Sequence, residues 1–283
     1  MRNIGLAISG GGIKSYAAIG VLKYLESENI KINHISGTSM GSIIAALYAC
    51  GLDSATIERE MLSLKGYFEE NKIISPSITN FIANVSKDGY ADSSKIEQKL
   101  AAIFLEYGVK TISDIKMPLA ITAVDLISGN LVLFTNRKMS FAGEVDVIVD
   151  DDISIAKALV ASCSVPIIFQ TKHHKNMQLV DGGVRMNVPI YPLLKMAANY
   201  IISISMSSVE PSKEALYIPQ VTRRVIDLLI AQSTLLAIAL SDLNINVLLE
   251  TSNIFATSYG KRAIEKGYLT AKEKYADKIK LLK

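Results

Sequence analysis

The pentapeptide Gly37-Thr38-Ser39-Met40-Gly41 places one hydroxyl between two glycines, after the apolar run Lys31 to Ser36 and before Ile43-Ile44-Ala45-Ala46-Leu47. A strand, a tight turn and a helix are the context in which GxSxG becomes a nucleophile elbow. The glycines let the backbone turn without Cβ clashes, so that Ser39 can be held in a strained conformation with its hydroxyl at a helix start. The competing reading is a plain tight turn.

A serine hydroxyl needs a base. Histidine is the usual one, and the chain has three: His34, His173 and His174. His34 reads as a packed strand residue, and the other two sit in a lysine-flanked loop. The order serine, acid, histidine of an ordinary triad is met only through those two loop residues. The other base open to the chain is Asp181, which follows Gln178-Leu179-Val180 and precedes Gly182 and Gly183, two residues that leave its carboxylate unobstructed. An Asp-Gly turn is the bland alternative. Partial desolvation would raise such a carboxyl toward a working pH and fit it for general-base duty.

Attack on an ester creates an oxyanion, which calls for fixed backbone N–H donors. Gly10-Gly11-Gly12 supplies three residues without side chains at a helix start, with Lys14 adding charge or capping the loop. A nucleotide loop is the rival here. Ile13 stands before Lys14-Ser15 where a P-loop requires glycine, and Gly10-x-Gly12-x-x-Ser15 lacks the last glycine of a dinucleotide fingerprint.

The elements that must position these residues alternate. Asn3 to Ile8 reads as a buried strand, the segment from Ala18 through Leu25 as a helix, Lys31 to Ser36 as a second strand, and the segment up to Gly51 as a second helix. That alternation predicts an α/β fold of three layers, a mostly parallel sheet flanked by helices, with ligand sites beyond the carboxyl ends of the strands. An insert follows, where Ser75-Pro76 opens a helix with Ile78, Phe81, Ile82 and Val85 on one face, read as core packing or as a lid. Ser94-x-x-Glu97 reads as a capping box for a helix toward Tyr107, and Leu119 to Asp125 as a hairpin with Leu131 to Phe134. Asp150-Asp151-Asp152 lack the spacing and glycine of a calcium loop and read as acids before a helix from Ile153 to about Ser162. Ile201 to Ser205 is a further predicted strand, and the remainder reads as helical. One domain over 1–283 is expected, with a core of about 1–200 and a helical region of about 206–283.

Composition narrows the functions. Of 283 residues, 49% are apolar and 20% charged, which excludes collagen-like and disordered classes. A formal charge of +3 argues for no nucleic-acid partner. Cys50 and Cys163 form no CxxC or Cys/His cluster and read as buried thiols, so no metal and no cofactor are expected. The apolar start is shorter than a secretory leader, and Leu228 to Ser241 is short of the roughly 20 residues that cross a bilayer, which places the expected address in the cytoplasm. Leu228 to Ser241 reads as a buried or dimer-contact helix, while the oligomeric state is left open. Residues 261 to 283 carry eight Lys or Arg against three acids, a solvated helix face or a transient contact with anionic headgroups at a membrane surface.

Gly10-Gly11-Gly12-Ile13-Lys14, Gly37-Thr38-Ser39-Met40-Gly41 and Asp181-Gly182-Gly183 with Asn187 and Pro189, together with Ala161-Ser162-Cys163-Ser164-Val165-Pro166, resemble a patatin-like phospholipase over roughly residues 1 to 200. The resemblance implies a Ser/Asp dyad without histidine: Ser39 as nucleophile, Asp181 as base, the amides of Gly10 to Gly12 as oxyanion hole, and lipid acyl esters as substrate. The chain departs from the family where Lys14-Ser15 replaces the usual Arg-Gly; lysine keeps the charge and loses the guanidinium fork. A thioesterase or small-ester hydrolase would use the same groups. A non-catalytic module binding an anionic ligand or lipid is the rival of another class.

Overall fold

Apolar runs without polar alternation become strands buried on both faces, as a parallel sheet requires. The computed structural model describes residues 2–71, 88–139, 141, 146–206, 218–249 and 259–283, and elements are numbered among these. The strands are β1 (Ile4–Ile8), β2 (His34–Thr38), β3 (Gly89–Ala91), β4 (Leu119–Asp125), β5 (Leu131–Thr135), β6 (Val147–Asp150), β7 (Ile167–Phe169), β8 (Lys172–His174), β9 (Met177–Asp181), β10 (Tyr200–Ser205) and β11 (Leu243–Asn246). The helices are α1 (Ala17–Ser27), α2 (Met40–Ala49), α3 (Ser54–Glu70), α4 (Ser94–Glu106), α5 (Ile155–Cys163), α6 (Ile190–Lys195), α7 (Ile218–Ile238), α8 (Gly260–Lys274) and α9 (Ala276–Lys280).

The main sheet runs β11-β10-β1-β2-β4-β5-β6, with β11, β10, β1, β2 and β4 all parallel and β5 antiparallel to β4. Alternate residues face two cores. Leu6, Ile8, Ile202 and Ile204 enter the larger one with α1, α2 and α3, whereas Ala7 and Ile201 face a smaller one with Val188, Ile190 and Leu193, beneath Ala237 and Ile238 of α7. Helices therefore cover both faces, and the architecture is the mixed α/β one expected.

Four local expectations change. The second strand is His34–Thr38 rather than Lys31 to Ser36, because Gly37 and Thr38 still pair with Ile121 and Thr122 of β4. The capping box at Ser94 does not form. The Ser94 N–H and hydroxyl both donate to Asp92, and Glu97 pairs instead with Lys172. The acids at 150–152 do not serve a helix start, since α5 is capped by Ser154, and Asp150 closes β6 and takes the ammonium of Lys175 at 2.9 Å. Finally, Leu243–Asn246, within the region read as helical, adds β11 beside β10. The helix expected from Ser75-Pro76 lies outside the described residues.

α8 is locked onto α1 by glycine. A β-carbon on Gly267 would fall 2.0 Å from the Ala17 carbonyl oxygen, and one on Gly20 would fall 1.9 Å from that of Ile264. Alanine in place of glycine inside a helix normally gains about 1 kcal/mol. Here the sign reverses: Gly267→Ala is expected to cost about 2 kcal/mol by forcing the helices apart, read as a lower urea midpoint at unchanged slope.

Candidate active site

β4 is the ruler against which the site is built. On one side it pairs with parallel β2 as far as Thr38↔Thr122, and in the same lane it then pairs with antiparallel β9, which ends at Asp181↔Ala123. β2 and β9 thus run toward each other along one edge and stop at adjacent positions of β4. The residue that leaves β2 is Ser39, and the residue that closes β9 is Asp181. Their side chains are neighbours, close enough for the Ser39 hydroxyl to favour the charged form of the Asp181 carboxyl.

Each turn is enforced by close backbone approach. Ser39 has φ 54° and ψ −134°, a region that L side chains rarely occupy. A β-carbon on Gly37 would fall 2.5 Å from the Ser42 Cα, and one on Gly41 would fall 2.4 Å from the Ser9 carbonyl oxygen, so neither position accepts a side chain. Gly182 passes Thr122 so closely that a β-carbon would fall 2.1 Å from its Oγ1. Thr38 donates to the Met186 carbonyl at 2.8 Å and lies 2.7 Å from the Thr122 hydroxyl, which ties β2, β4 and the segment after Asp181 together.

Asp181 is buried, and its Oδ1 accepts the Gly183 N–H at 2.7 Å. Burial pushes its carboxyl up to about 6, although the Ser39 hydroxyl and the Gly183 N–H both favour the charged form. A carboxylate held there can take a proton near neutral pH and give it back.

The glycine loop lies against the same hydroxyl. A β-carbon on Gly10 would fall 3.1 Å from the Ser39 Cβ and 2.7 Å from Asn187 Oδ1. The Gly10 N–H itself donates to the Asn187 carbonyl at 3.2 Å, so Gly10 supplies proximity, and its amide is already engaged. The amides of Gly11 and Gly12 donate to no carbonyl or side chain among the described residues. Gly11 and Gly12 have φ 153° and 57°, and the latter opens a 3₁₀ turn, Gly12–Tyr16, in which Lys14 is buried.

The three histidines are elsewhere. His34 stands at the far end of β2 with Nε2 2.9 Å from Asn3 Oδ1; His174 has Nε2 3.1 Å from Asp150 Oδ2; His173 is exposed on β8. None is joined to Ser39 or Asp181 among the described residues.

Two residues with unassigned roles also hold the site. The Ser162 hydroxyl accepts the Ser39 N–H at 2.9 Å, and the Ser164 carbonyl accepts the Asp181 N–H at 2.9 Å, so the end of α5 clamps both partners. The signal was the serine-rich end of that helix before Pro166, whose spacing alone does not say what the hydroxyls meet. Cys163 between them touches Ser39 and Ser42, and burial pushes its thiol well up, keeping it neutral. Asn187 bridges onward, its Nδ2 donating to Thr234 of α7 at 3.0 Å. We expect Ser162→Ala to lower kcat about tenfold with KM unchanged and Ser162→Thr to retain activity, since the strained Ser39 backbone loses its acceptor only in the first.

A family model described as patatin-like phospholipase matches residues 6–194, which span the glycine loop, Ser39 and Asp181. The chain belongs to the patatin-like phospholipase family. Membership groups this patatin-like chain with lipid acyl hydrolases and agrees with its parallel sheet flanked by helices. Among similar proteins, the uncharacterized YqhO of Bacillus subtilis is 26% identical, over 70% of this chain and 69% of its own. An uncharacterized NTE family protein of Mycobacterium tuberculosis is also 26% identical, over 75% of this chain and 52% of its own, so the patatin-like chain spans about half the length of that relative. The crystal structure of VipD from Legionella pneumophila is 14% identical, with 99% of this chain and 66% of that one covered at a TM-score of 0.48. No helix among the described residues is long and apolar enough to cross a membrane.

Proposed function

We propose that the chain is a serine acyl hydrolase in which Ser39 and Asp181 act as a dyad on acyl esters of lipids. The observation that supports this most is the meeting of β2 and β9 end to end, which brings a serine on strained backbone beside a buried carboxylate, next to two glycine amides that have no partner among the described residues. Ser39 Oγ attacks the ester carbonyl carbon while its proton passes to Asp181. The N–H groups of Gly11 and Gly12 hold the oxyanion. When the tetrahedral intermediate collapses, the C–O bond to the alcohol breaks and the alcohol leaves with the proton from Asp181. Water then gives a proton to Asp181, attacks the acyl-Ser39 ester and releases the acid, and the proton returns to Ser39.

The decisive experiment is fluorophosphonate labelling with the adduct mapped by mass spectrometry. An adduct on Ser39, lost in Asp181→Asn, is the expected result. Folded protein that gives no adduct would support the non-catalytic binding module instead. Parallel assays on a lysophospholipid, a triacylglycerol and an acyl-CoA rank the substrates; turnover confined to acyl-CoA would make the chain a thioesterase.

A further inference from the structure

α7 is 21 residues long, and its inner edge touches the site at two points. Thr234 accepts from Asn187, and a β-carbon on Gly183 would lie 3.7 Å from the Ile230 side chain. Behind these contacts, Ala237 and Ile238 rest on the smaller core and Ser241 bonds to Ser203 of β10. The sheet's carboxyl edge is therefore level with Thr234. Ile230 and Thr234, one helical turn apart, thus set α7 against the Gly183 and Asn187 side of the site.

The outward face of α7 is apolar. Val225, Leu228, Leu229, Leu235 and Leu236 are all exposed, Leu229 and Leu236 at 62% and 69%, as is Leu240 in the turn just after the helix. Their spacing puts them on one side of the helix, and no charged residue lies between Leu228 and Ser241. Sequence reading made this segment a buried or dimer-contact helix; the structure leaves its apolar side uncovered by the described residues. The same end of the sheet carries further apolar tips. Leu126 and Ile127, exposed on the turn after β4, are tied to the site by Leu126 N–H donating to Gln178 and by Arg185 reaching the Gly129 carbonyl. Val184, directly after Gly183, is also exposed. Two exposed cations, Lys261 and Arg262, open α8, whose Gly260 packs on Tyr16 at the end of the glycine turn.

We infer that this end of the molecule docks on an anionic lipid surface, with the outer row of α7 lying in the interface plane. The inference rests on the acyl-ester reading of the site and names the physical state of its substrate, lipid still in a bilayer. The charge pattern and the three sequence-distant apolar segments favour a membrane plane over a second copy, which would need only the helical row. The apolar row supplies the affinity, and basic residues near an anionic surface add electrostatic attraction.

The test is flotation of the full chain carrying Ser39→Ala with vesicles of phosphatidylcholine, with and without phosphatidylglycerol. We expect binding to the mixed vesicles, at least a tenfold lower partition coefficient for Leu229→Gln/Leu236→Gln, and a loss of the phosphatidylglycerol preference in Lys261→Gln/Arg262→Gln. Both variants, made with Ser39 intact, should melt as the wild type does and hydrolyse a soluble short-chain ester at its rate. Unchanged binding of the leucine variant would overturn the inference. So would a wild-type dimer by light scattering that the leucine variant turns into a monomer, which would assign the row to a second copy. Vesicle binding is read without turnover, so an unlabelled Ser39 would sink the hydrolase reading and leave the docking result to be judged on its own.

Discussion

Ser39→Ala and Asp181→Asn are each expected to lower kcat for an acyl ester by about 10⁴-fold, and the double variant by little more, because the two groups act as one unit. Alanine removes the attacking oxygen. Asparagine keeps the shape and can still accept the Gly183 N–H, but it cannot take the serine proton. The pH profile carries the same signature. Asp181 must be ionised to act as base, so kcat/KM should rise through an apparent value near 6 and level off above it. His173→Ala/His174→Ala should keep both the rate and this limb, since His174 is turned to Asp150 and His173 to solvent. Loss of activity in the histidine pair would mean that a triad operates. Steady-state kinetics across pH on the wild type and these four variants decides between them.

The second large effect is on stability, and it has the opposite sign. A carboxyl raised from 3.8 to about 6 in the folded chain is protonated there more readily than in the unfolded chain. Its contribution is therefore fully present below the unfolded value near 4 and is lost as pH rises through about 6. The buried charge costs about 3 kcal/mol above neutral pH. Asp181→Asn removes that charge and keeps the Gly183 bond, so it should melt roughly 5 °C higher than the wild type at pH 8 and at nearly the same temperature at pH 4. Thermal denaturation at the two pH values measures it. A variant less stable at pH 8 would mean that the carboxylate is not held in a desolvated state. Gain of stability with loss of turnover in one substitution is what a site under strain produces.

Much of the machinery was legible as local pattern. The glycines around Ser39 and at 10–12 announce tight backbone: close approach of Ser42, Ser9 and Asn187 excludes a β-carbon at Gly37, Gly41 and Gly10, whereas Gly11 and Gly12 are required by their positive φ. The hairpin of β4 and β5 was readable because its strands are neighbours across a short turn. The capping box at Ser94 was misleading, since Asp92, two residues back, competes for the same N–H at 2.8 Å. β11 was missed because four residues after a long helix carry no pattern of their own and become a strand only by pairing with β10. The clamp by Ser162 and Ser164 and the engagement of the Gly10 amide by Asn187 depend on partners far along the chain.

From the sequence by itself came the inventory of groups, the strand-and-helix alternation and the scarcity of histidine, all of which depend on residue type and short-range spacing. Tertiary structure alone decided that Ser39 and Asp181, 142 positions apart, share one place. The physical reason is the register of β4: a parallel strand from one direction and an antiparallel strand from the other use up its hydrogen-bonding edge and end at Thr122 and Ala123. Which residues stand at that junction is set by long-range pairing, and no local pattern encodes it.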